Sequence, residues 1–431
     1  MSVKNGRLEN ALVIWRAVLR ESFASLCFYR RRTLVTVCSL AWGVACFLLL
    51  MAYGGGYGEL MSNAFNAVGQ DLIVMYGGQT SLQAGGMRTG RRIALELSDV
   101  EAIRENVPAV GHLSPERFEG PVPVQRGARE KRYLVRGVSE EYRIVRNMTP
   151  VSGRWITTED LTRRNRVAVL GASVAHELFS AIPPEGEEIS IAGVRFTVIG
   201  VLESKGQLAQ YSQNDNSCIF IPYDTAALFG NTRYPHMIVW TPVSGLLRQQ
   251  AVKQVRATLA GIHRFSPADP TAVEMIIFND FLYIVEGMGT AAKVLVAFIG
   301  TLTLAIGGVG LANIMLASVV ERTREIGVMK ALGGRNRTIR QQFLVEALLV
   351  VGAGGVLGVS LGVALCHAIG SLPLFGPLFQ DAAEKGDLYL RVSPGSIATS
   401  IGVLLLVGVI AGTVPAVKAS RFDPIEALRY E

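Results

Sequence analysis

Four stretches of this 431-residue chain carry no charged side chain: Thr33 to Tyr53, Val294 to Val320, Ala347 to Gln380 and Val392 to Val417. A bilayer's hydrocarbon core, about 30 Å thick, is spanned by roughly 20 apolar residues in a helix. A Lys or Arg at its centre costs roughly 3 kcal/mol on insertion scales. Each run therefore predicts a transmembrane helix. The first is too long, and too weakly followed by small residues, for a cleaved leader.

A different pattern fills the gap between the first two runs. "DLIVMYG" (Asp71 to Gly77) reads as a strand, and "LSDVEAIREN" (Leu97 to Asn106) as a helix with Ser98 as cap and Glu101 three residues later. "RVAVLG" (Arg166 to Gly171) is a strand leading into a helix over Ala172 to Phe179. "EISIAGVRFTVIGVLE" (Glu188 to Glu203) alternates around Ala192-Gly193, a hairpin signal, and "CIFIPY" is a further strand. These elements predict a mixed α+β domain, large enough for its own core and divisible into two lobes. Gly54-Gly55-Gly56 are expected to loosen the helix after the first span, with helix resuming to about Val68. A helical stretch over Ala272 to Lys293 should lead back to the second span. Before the first span, Leu8, Leu12, Trp15, Leu19, Phe23 and Leu26 recur at helical spacing, as in an amphipathic helix lying on a membrane surface.

Composition supports this division. Half of the residues are hydrophobic and only 18% are charged, against roughly 25% in ordinary soluble domains. The charges also give the orientation. Met1 to Thr33 holds seven Lys/Arg against two acids, Glu321 to Gln342 six against two, and Ser371 to Arg391 two against three. The positive-inside rule places the first two segments in the cytoplasm, and four spans return the C-terminus there. Gly54 to Lys293 lies outside, with 24 basic and 24 acidic residues. The net charge of +7 is thus a property of the inner face; it fits contact with the lipid bilayer and gives no support for nucleic-acid binding. Cys218 is alone in the exported region, so no disulfide is expected there.

Catalytic motifs are missing. The dipeptide Gly-Lys does not occur, which excludes a P-loop within these residues. The five histidines lack metal-ligand spacing, so no catalytic or metal site is expected. The informative polar stretch is "ERTREIGVMKALGG" (Glu321 to Gly334), set between the second and third apolar runs. Ile326, Met329 and Leu332 share one side of a helix, Glu321, Arg322, Arg324 and Glu325 form a charged start, and Gly333-Gly334 supplies a stop. A short rigid helix with a charged rim suits either a re-entry loop or a grip for a cytoplasmic partner.

"IGGVGLANIMLASVVERTREIGVMKALGGRNRTIRQQFLVEALL" (Ile306 to Leu349) resembles the most recognisable segment of MacB/FtsX-type ABC transporter permeases. So does "GTVPAVKASRFDPIEALRYE" (Gly412 to Glu431), in which Asp423, Pro424 and Glu426 form a helix-capping pattern. "RVAVLGASVAHELF", "GVRFTVIGVLESKG" and "CIFIPYDTAALFG" resemble the MacB-type periplasmic core domain. The resemblance implies an α-helical membrane protein with four transmembrane helices and a large α+β extracytoplasmic domain between the first and second. The expected division is a cytoplasmic amphipathic helix over 1–32, spans over 33–53, 289–320, 336–370 and 392–417, and the core domain with helical stalks over 54–288. A cytoplasmic coupling helix over 321–335, an outer loop over 371–391 and a cytoplasmic tail over 418–431 complete it.

By the same resemblance, Glu321, Arg322, Thr323, Arg324, Glu325, Ile326, Gly327, Met329 and Lys330 occupy the segment that docks on a cytoplasmic ABC ATPase. Two permease chains, commonly identical, face one another, and a periplasmic adaptor joins them. The ATPase's work moves the outer domains without a conventional tunnel, which is mechanotransmission. With about 33 residues before the first span, the ATPase is expected as a separate chain that binds the ATP; this chain needs no cofactor and is not itself an enzyme. The expected setting is a bacterial inner membrane and the expected role is export of an amphipathic small molecule, peptide or lipid-linked cargo. The rivals are a lipoprotein-releasing permease and an FtsX-like regulator of a cell-wall hydrolase. Small residues in "AIGGVGLAN" and "GAGGVLGVSLG" are expected to let helices approach closely, within the chain or between two copies.

Overall fold

The computed structural model describes residues 30–84, 86–180, 182–207, 210–376 and 385–422. The amphipathic N-terminal helix and the Asp423 capping pattern lie outside the described residues. Two compact units emerge, one of residues 59–287 and 373–387, the other of the remainder.

Four apolar helices run through the second unit, α1 (Arg30–Asn66), α7 (Phe278–Glu321), α9 (Asn336–Ile369) and α10 (Pro394–Ser420), with α1 beyond residue 58 and α7 before residue 288 belonging to the first. All four are long and apolar enough to cross a membrane. α1 runs unbroken through Gly54, Gly55 and Gly56. These glycines do not loosen it. Gly56 instead makes room, since a Cβ there would sit 2.4 Å from the Tyr389 carbonyl oxygen. A comparable row lines α9. Cβ atoms at Gly354, Gly358 and Gly362 would meet Leu40, Val44 and Leu48 of α1 at 2.9, 2.6 and 3.1 Å. Spacing of four keeps all three on one helix face, so the backbones of α1 and α9 nearly touch. This glycine row is used inside the chain. α10 begins on a strong signal, with the Ser393 hydroxyl accepting the Ser396 N–H at 3.1 Å and Pro394 as the first helical residue.

The other unit is built on a ten-stranded sheet. Its strands are β1 (Ile73–Gly77), β2 (Val110–Arg126), β3 (Arg129–Val138), β4 (Pro150–Gly153), β5 (Val167–Leu170), β6 (Glu188–Ile191), β7 (Val194–Leu202), β8 (Cys218–Pro222), β9 (Met237–Pro242) and β10 (Val273–Ile277). The pairings β2–β3, β3–β8, β8–β5, β5–β7, β7–β6 and β6–β2 close a ring. Alternate residues point into it: Tyr133 and Val135, Ile189 and Ile191, Phe196 and Val198, Ile219 and Ile221 form one buried cluster. Helix α5 (Ala172–Phe179) contributes Val174, Leu178 and Phe179 to that interior. Beyond the ring, β9, β1 and β10 extend the sheet from the long strand β2. Helices α2 (Leu97–Asn106) and α6 (Arg248–His263) cover this wing. The two expected lobes are thus the ring and the wing, sharing β2.

Two further local expectations need correction. Helix α2 is capped through Glu96, whose N–H donates to the Asp99 carboxylate at 2.8 Å, rather than by Ser98 and Glu101. Asp99 wins because it also accepts from His263 Nε2 of α6 at 2.9 Å. Residues 273–277 form β10, paired along its length with β1, and helix begins only at Phe278. A β-branched run beside an open strand edge pairs rather than coils. Two short helices, α3 (Tyr142–Val145) and α4 (Thr158–Thr162), fill connections that the pattern leaves open. Ala192 and Gly193, both at positive φ, make the hairpin turn between β6 and β7 as expected.

Asp160 anchors α4. Its carboxylate accepts from Arg154 at 2.6 Å, from the Asn165 side chain at 2.9 Å and from Thr157 N–H at 3.1 Å. Although burial opposes the charge, these donors hold its pKa well below the usual carboxylate range. A depressed carboxylate contributes stability that is complete above the unfolded pKa, near 4, and is lost as pH falls below it. Asp160→Asn is therefore expected to cost about 2 kcal/mol at neutral pH, with the gap to wild type closing below about pH 4. Thermal melts from pH 7 to pH 3 check this; a gap that stays constant with pH would sink it.

Candidate functional site

The polar segment after the second span folds as helix α8 (Thr323–Ala331). α7 ends one residue earlier, because Arg322 leaves helical geometry at φ −99° and ψ 14°. The Thr323 hydroxyl turns back to the Val319 and Val320 carbonyls at 3.2 and 2.7 Å, which satisfies acceptors that the break would orphan. At the far end Gly333 adopts φ +93°, and Gly334 N–H returns to the Met329 carbonyl at 2.9 Å. A left-handed glycine stop of this kind is what Gly333-Gly334 predicts.

One side of α8 is packed. Thr323, Ile326 and Gly327 are buried. Ile326 is fully covered, in the same cluster as Val319, Ile339, Phe343, Ala416 and Ala419, with Met329 packed against it. The other side is open: Arg324, Glu325, Val328, Ala331 and Leu332 are exposed. Leu332 does not share the Ile326 face. It follows the last helical residue and is 84% exposed. The outward surface is therefore two opposite charges beside three apolar side chains, a mixed patch of the kind proteins use for contact.

Three charged side chains fasten the segment. Glu321 pairs with Arg32 of α1 at 2.5 Å. Arg322 pairs with Glu346 of α9 at 3.3 Å, both nearly solvent-free. Lys330 donates to the Ser420 and Phe422 carbonyls at the end of α10 at 2.8 and 2.7 Å, where a cation also suits the helix dipole. Glu321, the last residue of α7, thus joins that helix to α1, while Arg322 at the break and Lys330 on α8 reach α9 and α10. These contacts differ in weight. The Arg32–Glu321 pair is half exposed and contributes less than about 1 kcal/mol. The Arg322–Glu346 pair is better shielded, with side chains 11% and 5% exposed, so breaking it costs more. A cavity of about 30 Å³ lies beside Glu321, Glu346, Arg32 and Thr36, room for roughly one water.

The coupling candidates thus divide. Arg324 and Glu325 face out. Glu321, Arg322 and Lys330 hold the neighbouring helices. Thr323, Ile326, Gly327 and Met329 make the packed side. Sequence reasoning missed Arg32, Ser420 and Phe422 as partners, and placed Glu346 only at the rim of its span. The sole signal for Glu346 was a carboxylate at the mouth of an apolar run.

The four apolar helices, one carrying this fastened segment, and the strand-rich unit are the two parts of an ABC transporter permease. The chain belongs to the family of the MacB-like periplasmic core domain, whose model matches residues 33–258, and the FtsX-like permease C-terminal model matches residues 297–424. It is 33% identical over 422 residues to the macrolide export ATP-binding/permease protein MacB of Bdellovibrio bacteriovorus, covering 96% of this chain and 61% of the relative. The protein of the same name from Marinobacter nauticus is 30% identical over 434 residues, covering 99% of this chain and 63% of the relative. The chain thus spans about three-fifths of the length of these relatives. The solved periplasmic region of MacB from Actinobacillus actinomycetemcomitans aligns at 18% identity with a TM-score of 0.40, covering 53% of this chain and 98% of that one.

Placing a carboxylate in the packed side of α8 should be far worse than altering the open side. Ile326→Asp is expected to lower the stability of the detergent-solubilised protein by at least about 3 kcal/mol. The double change Arg324→Glu with Glu325→Lys should stay within about 0.5 kcal/mol of wild type. Thermal melts with size-exclusion profiles decide; an Ile326→Asp protein as stable as wild type would remove Ile326 from the core of the bundle.

Proposed function

We propose that this chain is the permease subunit of a MacB-type ABC transporter in a bacterial inner membrane. In this reading it couples ATP hydrolysis by a separate cytoplasmic ATPase to movement of its extracytoplasmic domain. The observation that carries the proposal is the fastening of α8. A partner pressing on Arg324, Glu325, Val328 and Leu332 pushes on a helix joined directly to α7, α9 and α10, and through Glu321 of α7 to α1. No P-loop occurs within these 431 residues, and in this reading ATP is bound by the partner ATPase. The basic character of the segments around Arg30–Arg32 and Arg335–Arg340 supports a cytoplasmic placement of α8 and of both termini.

The cargo class that fits is an amphipathic small molecule, peptide or lipid-linked species collected outside the membrane. The spans carry few ionisable groups that could line a hydrophilic path. The relatives' names refer to macrolide export, which favours export over lipoprotein release or hydrolase regulation. A second permease chain, most simply an identical copy, and a periplasmic adaptor complete the assembly.

The double change Arg324→Glu with Glu325→Lys is expected to weaken association with the ATPase by about tenfold, or ~1.4 kcal/mol, and to reduce transport in proportion. Co-purification from membranes and ATPase assays read it; undiminished binding and activity would count against α8 as the docking element.

Topology has a separate test. A cysteine at Leu332 should resist a membrane-impermeant maleimide in spheroplasts and react in inverted vesicles, and one at the exposed Ala128 should do the reverse. Labelling of Leu332→Cys from outside would overturn the orientation.

A further inference from the structure

The strand-rich unit holds a buried group of charges that α8 does not explain. Asp215 accepts from Arg146 Nη2 on both carboxylate oxygens at 2.8 Å, from Arg136 at 3.1 Å and from the Gln207 side-chain amide at 2.6 Å. Arg136 also pairs with Glu116 at 3.3 Å. Lys205 donates to the Arg146 carbonyl at 2.5 Å and lies 3.5 Å from Asp215. Arg136, Arg146, Asp215 and Glu116 are essentially solvent-free. Three cations thus face two carboxylates, and burial lowers the Lys205 pKa to about 8.

A buried ionic group is a poor way to gain stability, since well-packed apolar residues do as well. What it supplies is direction, because each bond fixes an angle as well as a distance. Here the bonds lead to the domain-side ends of two helices. Arg146 Nη1 donates to the Val68 carbonyl at 2.8 Å, just past the end of α1. The chain turns there at Gly69, φ +140°, so close to α3 that a Cβ would sit 2.3 Å from the Val145 carbonyl oxygen. The start of α7 is held alongside. Phe278 N–H donates to the Leu72 carbonyl at 3.0 Å, and Asn279 and Arg248 donate to Asp71 at 2.7 and 3.2 Å. Tyr211 packs edge-on against Phe278 at 6.1 Å and donates to Glu116 at 2.6 Å, which joins the α7 end to the same charges.

We infer that this cluster is a clamp: Arg146, Asp215, Arg136 and Glu116 lock the ends of α1 and α7 to the sheet, so that sheet and helix ends move as one body. Its role as a transmission element rests on the proposed function above. Arg146 and Asp215 are then positioning residues, acting through the helix ends they hold.

The test uses spin labels at Asn63→Cys on α1 and Glu130→Cys on β3, with Cys27, Cys38, Cys46 and Cys366 replaced by Ala, in the full chain reconstituted without ATPase. Double electron–electron resonance reads the distance distribution. Arg146→Lys keeps the charge but loses the two nitrogens that reach Asp215 and the Val68 carbonyl together, and is expected to broaden the distribution about twofold with unchanged circular dichroism. Arg104→Lys, at an exposed pair with Glu141, should leave it narrow. A distribution as narrow in Arg146→Lys as in wild type overturns the clamp. So does loss of the fold in Arg146→Lys, which would make the cluster ordinary core. A single Glu130→Cys label on each chain, read between two copies with ATPase and trapped nucleotide, separates the two readings: broadening of the 63–130 pair at rest in Arg146→Lys, with no nucleotide-driven change between copies of the wild type, upholds the clamp and removes the transport stroke.

Discussion

A charge that enters an apolar bundle has to bring its partner with it. That constraint shapes the end of the membrane unit. Arg322 stands where α7 breaks, and its guanidinium pairs there with Glu346 of α9. The pair converts a break in a helix into a joint with a defined angle. Everything else about α8 depends on that joint. Thr323 closes the ladder behind it, Ile326 seats the helix on α9 and α10, and Lys330 reaches the last carbonyls of α10. With one side thus committed inward, Arg324, Glu325, Val328 and Leu332 are left facing out.

The strand-rich unit meets the same constraint with different means. Its ring interior is wholly apolar, filled from alternate residues of six strands and one helix. The outer side of the ring carries Arg136, which points away from Tyr133 and Val135 because strand side chains alternate. Apolar packing settles which strands meet. The charged group settles the angle at which the helix ends meet them.

Much of this is legible in the sequence, and the parts that are not share a cause. Spans, the 172–179 helix, the Ala192-Gly193 hairpin and the Gly333 stop are local signals, carried by hydrophobic period and turn chemistry. Val273 to Ile277 reads equally well as the start of a helix, and only its pairing with β1 decides otherwise. The cap at Glu96 is chosen by His263, far away in sequence. Arg32, Glu346 and the α10 carbonyls come to α8 from three other helices, and no spacing along one helix announces that. Arg136 leaves a faint trace, a lone charge inside the strand "YLVRGV", but Asp215 leaves none.

Closure of the ring also bears on how an exported domain survives without disulfides. Cys218, the lone cysteine among residues 59–287, is buried, with its thiol pushed up to about 11. Covalent staples are therefore unavailable, and unfolded copies would find one another through unpaired strands. Among the described residues, a sheet that bites its own tail leaves two open lips, β4 and β10. The former is four residues long and opens with a proline; the latter is five. A protein bound for a crowded space beyond the membrane thus offers its neighbours little edge on which to begin a fibre.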